Sequence, residues 1–443
     1  MTEQMKPSGI GWIKEIPQSW ELNKVKYLAT EPETLFLDGD WIESDVIVES
    51  GIRYLTTGNV GAGFYKDQGS GYITTKTFDE LHCLKVFPGD LMISRLNEPI
   101  GRACIVPEGE DYYVVAVDNV ILRPNQAYDK KFIMYAMNTE GYAEHGNMIA
   151  RGATMSRVSR SQLGQFWIAL PKLKEQQQIA SFLDAQCSKI DGIIADIEKQ
   201  IETLQKYKKS LITETVTKGL DKSAPMKDSG IEWIGNIPEH WQVKKLLYEC
   251  ERIGDIDHYM PDSVDEGIPY VMTGDLIGDN NEIDFKNCKQ ISEQDYQRLS
   301  RKMKPILNDI IFARYATIGT VRIVDFAREF LVSYSCAIIR PKKSLHSKYL
   351  FYYLKSNAFY EEISKYINTN TQGNVGIDSL GRAKTPIPRM EEQIEISKFL
   401  DEKCADIEDV ISMKEKQLDT IKQHKKSLIY EYATGKKRVT EVN

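Results

Sequence analysis

The chain has 443 residues, 42 % of them apolar and 27 % charged, which suits a soluble protein of two to four domains, each with its own core. No apolar run approaches the roughly 20 residues that span a bilayer. The N-terminus lacks the basic start and apolar stretch of a secretory signal, so a cytoplasmic location with no membrane attachment is expected. A net charge of −7 argues, as an average, against a nucleic-acid partner, because phosphate neutralisation requires clustered Lys and Arg.

Residues 8–27, SGIGWIKEIPQSWELNKVKY, recur at 229–248 as SGIEWIGNIPEHWQVKKLLY, with ten of twenty positions identical. The shared Trp12/Trp233 and Trp20/Trp241 read as packing residues rather than base-stacking ones, because the motif anchors the opening of a domain. Behind each copy, over 21–170 and 249–386, short runs rich in Val, Ile, Tyr and Phe are broken by Gly, Asn and Asp, which predicts strands and turns. The two stretches share a skeleton that includes Thr57-Gly58/Thr273-Gly274, Asp90/Asp309, Arg95/Arg314 and Arg123-Pro124/Arg340-Pro341, and otherwise diverge.

A longer repeat follows each stretch. Residues 170–217 match 387–434 at 21 of 48 positions. No proline interrupts either copy after Pro171 or Pro388, and Glu, Gln, Lys, Leu and Ile dominate, so each is predicted to be one long helix. In the first, Leu183, Cys187, Ile190, Ile194, Ile197, Ile201, Leu204, Lys208 and Leu211 advance by alternating steps of four and three. In the second, Leu400, Cys404, Ile407, Ile411, Lys414, Leu418, Ile421, Lys425 and Leu428 keep the same steps. A sustained 3.5-residue spacing marks a coiled-coil seam, and Gly219 and Gly435 follow as C-terminal stops.

The reading is an α+β protein with two globular α/β domains separated by two long helices that pair as an antiparallel coiled coil, a pseudo-two-fold repeat. Its boundaries are a first domain with opening motif at 1–172, a helix at 173–219, a second domain with opening motif at 220–389, a helix at 390–435 and a tail at 436–443. Antiparallel pairing would place a domain at each end of the helix pair, which suits a duplex carrying two half-sites.

Catalytic signatures are missing. There is no G-x-x-x-x-G-K-[ST], no G-x-G-x-x-G opening a helix, no Asn-Pro-Pro-Tyr or Asp-Pro-Pro-Tyr, no HExxH and no GxSxG. A loose acid–acid–lysine string, Asp262 with Asp284 and Lys286, has no counterpart in the other half and reads as chance. Seven cysteines without a Cys-x-x-Cys, and six histidines that do not cluster with them, predict free buried thiols and no metal site.

Charge is unevenly spread. Residues 145–174 carry five Lys/Arg and no acid, and 363–390 carry four Lys/Arg and one Asp, both amid Gly, Thr, Ser, Asn and Gln. Small polar residues and backbone amides bind phosphate, while Arg, Asn and Gln read base edges. The candidate DNA contacts are Arg151, Thr154, Arg157 and Arg160 in the first half, and Lys365, Thr371, Gln372, Asn374 and Arg382 in the second; the competing reading is a solvated loop. Arg95 and Arg314, each at a strand end before a Gly-containing loop, either join them or hold an internal ion pair with Asp90 or Asp309.

The repeated GIxWIxxIPxxW opening, the LPKLKEQ and IPRMEEQ segments and the duplicated helices resemble type I restriction–modification specificity subunits across essentially the whole chain. The resemblance implies a non-catalytic subunit with two target recognition domains, each reading half of a bipartite double-stranded DNA site. It further implies that the helices set the spacer and dock two methyltransferase (M) subunits, which would bind S-adenosylmethionine, so that this chain needs no cofactor. Restriction (R) subunits would complete an ATP-dependent nuclease. The competing class is a coiled-coil scaffold with two protein-binding domains.

Overall fold

A computed structural model describes residues 4–69, 71–151, 156–278, 281–367 and 373–439. It divides into two compact units, Met1–Ile197 with Lys416–Asn443, and Glu198–Glu415. The linear order of domain, helix, domain, helix is therefore not the order of packing, because each long helix gives one stretch to each unit. In the first unit Ile179, Leu183 and Cys187 share a core with Leu428, Ile429 and Ala433. In the second, Ile212 and Val216 share one with Ile396, Leu400 and Cys404.

Both domains are built on the same four-stranded antiparallel sheet. In the first, the strands lie in the order Leu35–Asp38, Asn119–Arg123, Leu91–Ser94, Ala103–Ile105. In the second the order is Cys250–Gly254, Cys336–Pro341, Ile310–Ala313, Val321–Ile323. Every residue of Leu91–Ser94 and of Ile310–Ala313 is buried. Cover on both faces explains why these strands read as continuous apolar runs rather than alternating ones. At the end of each sheet the shared Asp–Arg pair closes a strand to its neighbour: Asp90 accepts from Arg123 at 2.9 and 2.6 Å, and Asp309 accepts from Arg340 at 2.9 and 2.8 Å.

The opening motif folds as a hairpin, Met5–Pro7 against Glu15–Pro17, and again as Met226–Asp228 against Asn236–Pro238. Trp20 and Trp241 are fully buried behind it. Their indole N–H groups reach Glu175 at 3.4 Å and Glu392 at 3.3 Å in the first turns of the long helices. The adjacent Gln176 donates to the Pro171 carbonyl and accepts from the Asp129 amide; Gln393 does the same with Pro388 and His346. The repeated Glu-Gln pair thus ties each helix start to its own domain by satisfying groups that burial would otherwise leave orphaned.

The long helices run Leu173–Lys218 and Met390–Ala433. Their segments run antiparallel within each unit: Phe182 packs on Tyr432 and Asp191 pairs with Lys425 at 2.6 Å in the first, while Gln200 meets Lys414 and Lys208 pairs with Glu408 at 2.7 Å in the second. All the seam positions read from the sequence are at least partly buried, down to Leu183 and Leu400 at full burial. Gly219 (φ 73°) and Gly435 (φ 72°) end the helices in the left-handed region that glycine tolerates. A Cβ at Gly435 would also sit 2.5 Å from the Pro17 ring, and one at Gly219 3.2 Å from Trp241.

All seven cysteines are free and buried. Burial pushes the thiols of Cys104, Cys250 and Cys336 up to about 12, so they stay protonated and act as small apolar side chains. Among the described residues no cluster of His, Cys, Asp or Glu could hold a metal, and no helix is long and apolar enough to cross a membrane.

Candidate nucleic-acid interface

The basic segment of the first domain joins the sheet through its backbone. The Val158 amide donates to the Arg95 carbonyl at 3.1 Å, Leu96 and Arg157 form an antiparallel bridge, and Asn97 donates to the Ser156 carbonyl. Arg157 in turn bridges Arg151, with amide–carbonyl bonds of 3.1 Å in both directions. Residues 151 and 156–158 are thus an arm appended to the end of the central strand.

Arg95 locks this arm from beneath. Only 6 % exposed, it donates to the Val158 carbonyl at 2.9 Å and the Val117 carbonyl at 2.6 Å. Asp38 lies 3.1 Å from its Nε and Asp118 3.9 Å from a terminal nitrogen. Burial pulls the guanidinium below the ordinary arginine pKa, and the two carboxylates oppose that shift. Its own amide donates to the Asp118 carbonyl, so side chain and backbone hold the same neighbours.

The second domain repeats the device. Arg314, 4 % exposed, donates to the Val375 carbonyl at 3.1 Å, the Tyr334 carbonyl at 2.7 Å and Asp255 at 2.7 Å. The Val375 amide returns to the Arg314 carbonyl at 3.0 Å, and Tyr315 bridges Asn374. Lys302 adds a second cation to Asp255 at 2.9 Å. Arg95 and Arg314 are therefore corrected from candidate DNA contacts to internal clamps. Their carboxylate partners are Asp38 and Asp255, not Asp90 and Asp309, which are already taken by Arg123 and Arg340. A buried guanidinium whose terminal nitrogens are bonded in this way would lose those bonds in turning outward.

The other candidates divide by position. Arg157 and Arg160 lie beside the clamp with half-exposed side chains, paired to Asp118 at 2.7 Å and Asp38 at 3.5 Å; exposed pairs of this kind rearrange at little cost. Arg151 is exposed on the same arm, and Asn374 sits at the equivalent place in the second domain. Lys365 lies apart from the second clamp's contacts, paired with buried Glu362 at 2.9 Å and placed over Trp233 at 4.6 Å. Arg382 is exposed at the end of the short helix Ile377–Arg382. Thr154, Thr371 and Gln372 fall outside the described residues. Of the acid–acid–lysine string, Asp284 caps a turn, accepting from the Lys286 and Asn287 amides and the Asn287 side chain.

Three contributors are not marked in the sequence. Asp38 and Asp255 anchor the clamps, and Arg102 gathers the carbonyls of Thr57, Val60, Leu96, Asn97 and Pro99, fixing the loop after Arg95 to the shared Thr-Gly turn. The signal available was the aspartate at the end of the strand preceding each domain's divergent part. Nothing in spacing alone separates it from other acids.

A family model described as the type I restriction modification DNA specificity domain matches residues 39–203 and 238–429. A Methanocaldococcus jannaschii chain named for the type I restriction enzyme MjaX specificity subunit is 28 % identical over 390 residues, 83 % of each chain. The MjaVIII specificity subunit of the same organism is 28 % identical over 326 residues, 72 % of this chain and 73 % of that one. A chain from a solved structure concerned with complex assembly and conformational transition of the type I R-M system superposes with a TM-score of 0.69 at 15 % identity, covering 95 % of this chain and 99 % of that chain; at that identity the likeness speaks for the fold. With two copies of one sheet, two copies of one clamp and a family match over more than half its length, the chain belongs to the type I restriction–modification specificity subunits.

Proposed function

We propose that each domain reads one half of a bipartite duplex site, and that the long helices set the distance between halves and dock the methyltransferase subunits of a type I complex. The observation that carries this is the repeated clamp. The same Asp–Arg device holds a returning segment at the same sheet end in both domains, carrying Arg151 and Arg157 in the first and Asn374 in the second, so the frame repeats while the residues displayed on it differ. A common frame with divergent display is what two independent readers need. The arm residues Arg151, Arg157 and Arg160, with Asn374 and the outlying Lys365 and Arg382, supply phosphate and base-edge donors. The locally basic segments also answer the objection from net charge, because an acidic total leaves room for DNA binding once partner subunits contribute cations.

The test is methylation mapping in cells that co-produce this chain with its methyltransferase subunits. Replacing residues 21–170 by the corresponding domain of another specificity subunit should alter one half of the methylated motif and leave the other unchanged. A swap that altered both halves would refute separate readers. A chain that bound only protein partners would direct no sequence-specific methylation in either form.

A further inference from the structure

The two clamps correspond through their sheet register, and by count from the clamp residues three positions in each domain match that are not buried and are chemically different. The first is three residues beyond the clamp aspartate: Trp41 after Asp38, His258 after Asp255. The second follows the clamp arginine: Leu96 after Arg95, Tyr315 after Arg314. The third is the residue whose carbonyl the guanidinium holds: Val117 and Tyr334. We propose that these positions, 41, 96 and 117 in one domain and 258, 315 and 334 in the other, are specificity-determining contacts to the bases of each half-site. The proposal rests on the DNA-reading function above and names the surface that does the reading.

The frame is fixed and the display varies. All four clamp residues except Asp38 are nearly inaccessible, and Asp38 is partly buried, whereas none of the six displayed residues is buried. Trp41 is 70 % exposed, on a segment where Asp40 bridges Ala116 and accepts from the Val117 amide. Asp118, the next residue along that neighbouring segment, pairs with Arg157 of the basic arm. An indole this open beside the arm offers an apolar face to base or sugar, and its N–H, which donates to exposed Glu43 at 3.4 Å, would have to leave that carboxylate to reach a groove acceptor.

In the second domain the same places form a continuous aromatic row. His258 stacks on Tyr334 at 4.7 Å, Tyr334 meets Tyr315 edge-on at 6.5 Å, and Tyr315 bridges Asn374 of the arm. Imidazole, phenol and amide groups all donate and accept hydrogen bonds, whereas Trp41, Leu96 and Val117 are mainly apolar. The two surfaces therefore suit different bases: the first favours apolar contact such as a thymine methyl, the second hydrogen-bonded edges.

The experiment uses the full chain co-produced with its methyltransferase subunits. Trp41→Ala should weaken binding to a site-bearing duplex about ten-fold or more and relax one half of the methylated motif, with Trp41→Phe restoring part of the loss. His258→Ala and Tyr315→Phe should act on the other half alone. Urea midpoints should not move, since Trp41 and His258 are exposed and Tyr315→Phe removes only a hydroxyl; a shifted midpoint with unchanged specificity would assign a structural role and overturn the proposal. Photocrosslinking with 5-iododeoxyuridine in each half-site should label the peptides holding Trp41 and His258 or Tyr315, and labelling elsewhere would count against it. Variants that retain wild-type affinity and motif would refute these positions while leaving two-domain reading intact. A wild-type chain that directs methylation to no bipartite sequence would remove both together.

Discussion

Arg95 and Arg314 are buried clamps beneath the segments proposed to meet DNA. Each joins a returning segment, a strand connection and a carboxylate through hydrogen bonds and ion pairs of 2.6 to 3.1 Å. Replacing Arg95 by Met should therefore lower stability by about 2–4 kcal/mol, because the carbonyls of Val117 and Val158 lose their donor, while partly exposed Asp38 keeps Arg160. Arg157→Ala should cost less than about 1 kcal/mol, since its pair with Asp118 is exposed. Urea unfolding of the two variants checks the contrast. Equal losses would mean that the arm is held by its backbone bridge and not by the guanidinium.

At the scale of elements, the long helices keep a coiled-coil seam but admit lysines to it. Lys208 is 8 % exposed and its ammonium meets Glu408; the residue at the equivalent step, Lys425, meets Asp191. Desolvating such a pair consumes much of its attraction, so the pair specifies alignment more than it adds stability. Lys208→Met should leave stability within about 1 kcal/mol of wild type, because half-exposed Glu408 stays hydrated and the methionine fills the seam. Glu408→Ala should cost about 1–3 kcal/mol by leaving a buried ammonium without its carboxylate. Thermal or urea unfolding of both variants decides the matter, and the reverse order would show the pair to be a net stabiliser.

For the molecule as a whole, the division of each helix between two units determines where its length can be changed. Residues 212–217 are docked on the second domain: Ile212 and Val216 are buried, and Tyr349 donates to the Val216 carbonyl at 3.1 Å. An insertion near Thr213–Lys222 would therefore dislodge a domain core before it altered any spacing. The place to lengthen lies where the units divide, between Ile197 and Glu198 and between Glu415 and Lys416. Seven residues inserted at both points preserve the heptad and add about 10.5 Å of helical rise. If the helices set the spacer, the unread gap should grow by about three base pairs at 3.4 Å each, with both half-sites unchanged. Methylation mapping reads the result, and an active variant with its original gap would show that the distance is set elsewhere.

The sequence by itself determined the duplication, the two long helices with their glycine stops and the absence of known catalytic motifs, because these depend on local propensity and on periodicity within one stretch of chain. It also singled out the two basic segments, since their charge is contiguous. It could not decide what Arg95 and Arg314 do. Their carboxylates are far away in the chain, 59 residues in the case of Asp255 and Arg314, and nearer acids such as Asp90 and Asp309 offered themselves first. Only the tertiary structure, by spending those acids on Arg123 and Arg340, turned two candidate contacts into clamps. The same holds for the packing units: a helix carries no mark of which domain each of its turns will lie against, because that choice is made by surfaces that meet only when the chain has folded.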